Sequence, residues 1–420
     1  MHSRPPQSTV RMLAALSIPA AVVGIGCALL LRAVDQMAAL LEQGLWSALP
    51  DALGVDPTSG WWIFATLTGI GIAVGLVLWL APGHGGEDSA TVSLMAPPSP
   101  LRVLPSLAVV TVLGLAGGVS LGPESPIIAI NTALFVAAIK KLQPSIPTGL
   151  VVIVVAAGTI GALFGTPVAA ALVFTGVVGS LKIEGELWDR LFLPLVAAAT
   201  GSVTMSLLAH PSFTLPLPTY TTVAAWDLLS ASIIACVAAT IGILAAAALP
   251  RLHRAFRLLR NPLIYAGIGG ALLGVLGAIG GPVTLFKGLQ QMDELLDERN
   301  SLTVGTLILI VAVKVVALVI SAAAGFRGGR VFPAVFIGMA IGVVANAIVP
   351  SVPLAVAIAG GVLGMVLAVS RDGWISLFVA VAVTGSVSAL PLLCIAVLPT
   401  WLLVSRAPVM VVHAHQQEKL

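Results

Sequence analysis

The chain has 420 residues, of which 58% are hydrophobic and only 9% charged, with a mean hydropathy of +1.09. A soluble domain carries about 25% charged residues, so this polypeptide cannot cover itself with a wetted surface, and an all-α polytopic membrane protein is expected. The runs are continuously apolar rather than alternating, which argues against an outer-membrane-type barrel, and a formal net charge of +3 gives no reason to expect a nucleic-acid partner.

The first apolar run, Met12 to Leu31, follows Arg4 and Arg11 as the core of a signal peptide would. At about 20 residues it is longer than such a core, and Arg32 and Asp35 follow it in place of a cleavage site. It reads as a retained membrane helix. Further runs able to cross or dip into the bilayer start near Trp61, Leu101, Ile127, Leu150, Thr166, Leu191 and Ala224. They resume near Leu263, Leu302, Val331, Leu354, Ile375 and Leu390. A crossing helix needs about 20 apolar residues, and several of these runs are shorter or are joined by only a few Gly and Pro residues. Broken helices at membrane depth survive only where protein or water covers their free backbone groups. The 43 glycines and 28 prolines fit that picture.

Between the two sets of runs lies the densest basic cluster, Arg251 to Arg260. The positive-inside rule places it in the cytoplasm, where it also suits a lipid-headgroup anchor. The expected organisation is a first transmembrane repeat over 1–250, a basic linker over 251–261 and a second repeat over 262–420. The tail from His413 to Leu420 is too short to form a further domain. Asp293 to Glu298, Glu184 and Glu186 read as solvated loops, and Arg371–Asp372 as a loop ion pair. Cys27, Cys236 and Cys394 sit in apolar runs without metal-ligand or CxxC spacing, so no redox role or metal is expected.

A Gly-x-x-x-Gly-x-x-x-Pro phrase occurs twice, 207 residues apart, as Gly118-Val-Ser-Leu-Gly122-Pro-Glu-Ser-Pro126 and as Gly325-Phe-Arg-Gly-Gly329-Arg-Val-Phe-Pro333. Each copy interrupts an apolar run and precedes another. Gly71 and Gly75 recur as Gly270 and Gly274, and Gly158 and Gly161 as Gly361 and Gly364. Small residues at such spacings are common in membrane helices, but three echoes in one order support a duplication. Paired breaks in two repeats point to a transporter's binding site.

A helix that begins at membrane depth presents free N–H groups and the positive end of its dipole. Two such starts, after Pro126 and near Pro333, would bind an anion through partial charges weak enough to release it. Glu124 stands at the first. A carboxylate there is drawn to the same amides as a free anion, so it would gate the site, opening on protonation and sensing voltage through the permeating ion. The same position also suits an ordinary N-cap, and from the residues alone both readings stay open. Lys314, in an apolar run, must pair, snorkel or face a cavity. Arg327 and Arg330 could attract anions or hold partners structurally.

These segments resemble the CLC chloride channels and proton-coupled chloride exchangers. Leu121-Gly-Pro-Glu-Ser-Pro126 is similar to their Gly-Arg-Glu-Gly-Pro signature, and the second break to their Gly-Gly-x-Phe-x-Pro segment. Gly83-His-Gly-Gly-Glu-Asp88 occupies the place of Gly-Ser-Gly-Ile-Pro, and Gly161-Ala-Leu-Phe-Gly-Thr-Pro167 matches Gly-Ala-x-Phe-x-x-Pro. The nearest likeness is to a bacterial branch described as ion-transport proteins. The resemblance implies two inverted-topology repeats with broken and re-entrant helices, a homodimer in the bacterial inner membrane surrounded by lipid, and transport of chloride or a related small anion without a cofactor. It implies Glu124 as the gating residue, and it places Gly83, His84, Gly85, Gly122, Pro123, Ser125, Arg330, Val331, Phe332 and Met410 around the anion.

Several positions depart from the family pattern. His84 replaces the ion-coordinating serine, where it would act as a pore ligand or cap a turn. Val331 replaces the pore phenylalanine, and Met410 the pore tyrosine. Gly176 and Val177 stand where the exchangers carry their internal acidic pair. A passive channel is therefore favoured over a proton-coupled exchanger with a relocated acceptor such as Glu184 or Glu186. An intramembrane enzyme would need a nucleophile with its base or an HExxH cluster, and the sequence offers neither.

Overall fold

A computed structural model describes residues 7–92, 97–180, 186–209, 213–218, 220–221 and 224–412. Arg4, Glu184 and the tail from His413 lie outside them. The helices in chain order are α1 (Gln7–Gln43), α2 (Leu49–Leu53), α3 (Gly60–Leu80), α4 (Leu104–Ala116), α5 (Glu124–Leu142), α6 (Thr148–Phe164), α7 (Pro167–Ser180) and α8 (Leu187–Ala209). There follow α9 (Ala225–Arg257), α10 (Pro262–Gly280), α11 (Leu289–Glu298), α12 (Val304–Ala323), α13 (Val331–Ile348), α14 (Leu354–Ser370), α15 (Gly373–Thr384) and α16 (Leu390–Ser405). Among the described residues nine helical segments are long and apolar enough to cross a membrane, and five more are apolar but shorter.

The apolar runs foreseen from the sequence all carry helices, with four differences of detail. The first helix is longer than expected: α1 passes through Arg32 and Asp35 and continues by a π-helical stretch, Gly44–Ala48, into α2. The basic segment is not a free linker, because Arg251 to Arg257 form the last two turns of α9. The acidic stretch Asp293 to Glu298 is helical rather than a loop. In α11 Met292, Leu295 and Leu296 face inward while the carboxylates stay at the surface. Arg371 and Asp372 cap helices instead of pairing. Asp372 accepts from the N–H groups of Trp374 and Ile375 at 2.8 and 3.0 Å, and Arg371 ends α14 at φ 59° and donates to the Ala407 carbonyl.

The chain packs as two compact units. The smaller comprises Met1–Gln36, Leu94–Leu104 and Ile127–Ser212. Within it α6 lies against α8 through small residues, where Gly161 meets the backbone of Ala198 and Gly201 that of Gly158. Cys27, Val155 and Ala197 form its core. The larger unit comprises Met37–Ser93, Pro105–Pro126 and Phe213–Leu420. In it α14 is buried from Ala355 to Val369, as a helix apolar on every face must be.

The glycine echo between α3 and α10 is a direct crossing of the two helices in the larger unit. A Cβ on Gly71 would lie 2.9 Å from the Gly270 Cα, and one on Gly270 would lie 2.9 Å from the Gly71 Cα. Four residues on, Gly75 faces Leu263 and Gly274 faces Phe64, so the contact repeats with the roles of the helices exchanged. Backbones this close tolerate no side chain. The turns that follow both helices reach the two breaks, the first through the Gly85 carbonyl on Arg327 and the second through Phe286 N–H on the Gly118 carbonyl.

Candidate functional site

All the groups described in this section belong to the larger unit. The two broken phrases meet. Gly118 and Gly325, the first glycine of each, both turn the chain through left-handed backbone, at φ 86° and 89°. Such torsions favour glycine. Four residues on, Gly122 and Gly329 form an antiparallel bridge, with Gly122 N–H donating to the Gly329 carbonyl at 2.8 Å and Gly329 N–H to the Gly122 carbonyl at 2.6 Å. The bridge aligns the start of α5 with the start of α13. Helix α5 opens at Glu124, three residues earlier than expected, and Pro126 lies in its first turn, where a missing N–H costs nothing.

Glu124 is 1% exposed. Its Oε1 accepts the backbone N–H of Phe332 at 2.8 Å. The carboxylate therefore caps the helix start contributed by the second phrase. Its Oε2 is buried without a hydrogen bond from the described residues. The carboxyl carbon would stand 2.7 Å from a Cβ on Gly122, and a Cβ on Gly329 would run into the carboxylate as well. Both glycines are thus required by the room the acid occupies. A carboxylate at a helix start meets free N–H groups and the positive dipole end, and Glu124 takes that place at the start of α13.

The neighbouring side chains were only partly foreseen. Val331 and Phe332 are buried at the start of α13, and Phe332 stacks on Phe213 with ring centroids 5.6 Å apart and 6° between planes. Phe213 was missed, since it lies 119 residues upstream and nothing local marks it. Gly122 and Pro123 are buried and Ser125 half-buried beside the acid. Arg330 spends its guanidinium on the carbonyls of Met410 and Val92, the latter at 2.8 Å. Met410 is buried and reaches this arginine through its backbone.

The glycine-rich segment after α3 makes a different contact from the one the motif suggests. The Gly85 N–H donates to Ser106 Oγ at 3.2 Å, while the carbonyls of Gly85, Gly86 and His84 accept from Arg327 at 2.9, 3.1 and 3.4 Å. The segment is a cradle for a cation, and Arg327 fills it, with Asp88 Oδ1 at 3.6 Å from its Nη1. Gly83 and His84 adopt positive φ of 81° and 49°. His84 is exposed, and its Nδ1 lies 2.8 Å from the Leu78 carbonyl, capping the end of α3. Lys314 does not snorkel, and it meets no acid among the described residues. Its fully buried ammonium donates to the carbonyls of Thr284, Leu285 and Phe286 at 3.0, 2.7 and 2.7 Å.

The sequence matches the family described as "Voltage gated chloride channel" over residues 69–404. It is 47% identical over 408 residues to "Putative ion-transport protein YfeO" of Escherichia fergusonii, covering 97% of each chain, and equally so to the protein of that name from Shigella boydii. The fold is similar to that of a CLC-type fluoride/proton antiporter, with a TM-score of 0.71 at 20% identity over 97% of this chain and 98% of the other. It also resembles a slow cyanobacterial Cl-/H+ antiporter, with a TM-score of 0.73 at 19% identity over 96% of each. The chain is a multi-pass membrane protein of the CLC fold, two inverted-topology repeats with broken and re-entrant helices, and belongs to the voltage gated chloride channel family.

Proposed function

We propose that this protein carries chloride or a related small anion across the bacterial inner membrane through the site that Glu124 occupies, with that carboxylate as the gate. The observation behind the reading is the 2.8 Å bond from Phe332 N–H to Glu124 Oε1 across the paired breaks. An ionised carboxylate competes with a free anion for amides at one helix start, and protonation removes the competitor. Voltage acts through the anion itself, which carries charge into the site. The working unit is a homodimer with one pathway per subunit, and each subunit is built from repeats over 1–250 and 262–420. Its activity is transport and not catalysis.

Passive conduction is the favoured mode. Gly176 and Val177, at the places where exchangers carry an acidic pair, have no group to pass protons inward. Proton-coupled exchange is the second reading, favoured by the antiporters named among the similar folds. Purified protein in liposomes under a chloride gradient separates them. A passive pathway discharges the gradient with no uphill proton movement, whereas proton pumping rejects it. If neither chloride nor another halide, nitrate or bicarbonate moves, the anion assignment itself fails.

A further inference from the structure

A buried charge cluster at the end of α9 takes no part in anion binding as described so far. His253 is 3% exposed, and its Nε2 lies 2.9 Å from Asp88 Oδ2 and 3.2 Å from Arg257 Nε. Arg257 also donates to the same Asp88 oxygen and lies over the Tyr265 ring at 4.4 Å. The other Asp88 oxygen faces Arg327. Asp88 therefore joins the basic end of α9 to the arginine that fills the cradle beside the second break.

One imidazole nitrogen cannot satisfy both of its neighbours. In the neutral ring with its hydrogen on Nδ1, the single Nε2 lone pair accepts the Arg257 Nε–H and Asp88 gains no donor from the ring. With its hydrogen on Nε2 the neutral ring donates to Asp88 and opposes the Arg257 donor, and a second proton, on Nδ1, makes it a cation facing the carboxylate. The ring has two arrangements with different partners, and imidazole is the side chain whose charge changes in the physiological range. The charged and titratable groups facing it are Asp88 from the turn after α3, Arg257 from its own helix and Arg327 from the second break, with Tyr265 of α10 behind Arg257. Burial alone would raise the Asp88 carboxyl. The hydrogen bond with His253 and the charges of Arg327 and Arg257 instead hold it well below the usual carboxylate range. Asp88 is thus an anion shared by the ring and both arginines.

We propose that His253 is a proton-binding site on the side of the membrane bearing the basic end of α9, and that its occupancy sets how firmly Asp88 holds Arg327. The proton site stands on the cluster's geometry; its effect on flux rests on the anion-transport reading. From Arg327 the path to the gate is short. Gly328 N–H donates to Ser89 Oγ at 2.8 Å, and Gly329 forms the bridge to Gly122 beside Glu124. A proton taken from water by the neutral ring adds one positive charge to the cluster and draws Asp88 toward the imidazolium. Both changes favour an anion at the neighbouring helix start, so acid on this side raises flux.

Two readouts on the full-length protein test this. In liposomes, with the pH on the opposite side fixed, lowering the pH on the α9 side from 8 to 6 should raise wild-type anion flux, and His253→Gln should remove that response. Arg257→Gln removes a neighbouring positive charge and should move the midpoint upward by about one pH unit. Independently of transport, 15N-labelled histidine resonances, with that of His253 identified by its loss in His253→Gln, should contain a titrating His253 that Arg257→Gln shifts the same way. A His253 resonance that never titrates, or a His253→Gln protein with wild-type flux response, overturns the proposal. Absence of all anion flux with a titrating His253 would instead count against the transport reading.

Discussion

The turns that follow α3 and α10 stand 200 residues apart in equivalent places, and each gathers three backbone carbonyls around a buried cation. After α3 the carbonyls of His84, Gly85 and Gly86 hold Arg327, and after α10 those of Thr284, Leu285 and Phe286 hold Lys314. The two devices differ in what lies behind them. An ammonium has three donors, and Lys314 uses all of them on three carbonyls under the Phe336 ring, 5.0 Å away. Arg327 has a planar fork that reaches its cradle, the Gly325 carbonyl at 2.9 Å and Asp88, and so connects to His253 and Arg257. One cradle is sealed and serves as an anchor. The other is linked to groups that can change charge.

Removing the sealed cation should have the largest effect. Lys314→Met leaves three buried carbonyls without a donor, at about 1–3 kcal/mol each. The variant should lose at least about 3 kcal/mol and fail to survive thermal unfolding in detergent that wild type tolerates. Wild-type melting would show that the carbonyls find other partners and that the anchor is dispensable. Because Phe286 N–H donates to the Gly118 carbonyl at 3.0 Å, the first break should loosen with it.

Arg327→Lys sharpens the comparison from the other side. It keeps the charge but cannot span the cradle and Asp88 together. A loss of about 1.5–3 kcal/mol is expected, together with an altered flux response to pH on the α9 side. Unchanged stability and response would make the two cradles equivalent. Gly270→Val tests the crossing of α3 with α10. Its side chain would meet Gly71 backbone 2.9 Å from the Cβ position, at a cost of about 1–3 kcal/mol by melting. The smallest effect belongs to His84→Ser. His84 is exposed and bonded to the end of α3, so anion preference should stay within about twofold, the spread of a surface change near 0.5 kcal/mol. A larger shift would place its side chain in the pathway.

Much of this fold was legible because a membrane helix has a one-dimensional signature, and the apolar runs carried it. The break residues were legible for the same reason, since Gly118, Gly122, Gly325 and Gly329 interrupt those runs at a repeated spacing. Helix α11 was missed because its acids outweigh its apolar content, although Leu289, Met292 and Leu296 recur at helical spacing and could have marked it. The Asp88–His253 contact spans 165 residues and Arg327–Gly85 spans 242. No local pattern announces a pair so far apart. The Gly71 and Gly270 echo carried more than it declared, because a repeated spacing does not say that the two copies touch.

Anion efflux from liposomes carrying wild type or Glu124→Ala, with the pH on the α9 side fixed and the opposite pH varied, tests the gate most directly. A carboxylate that occupies the Phe332 amide should give wild-type efflux that rises as pH falls, while Glu124→Ala should run fast at every pH. A variant that keeps the wild-type pH dependence would show that this acid is a structural cap and that the gate lies elsewhere.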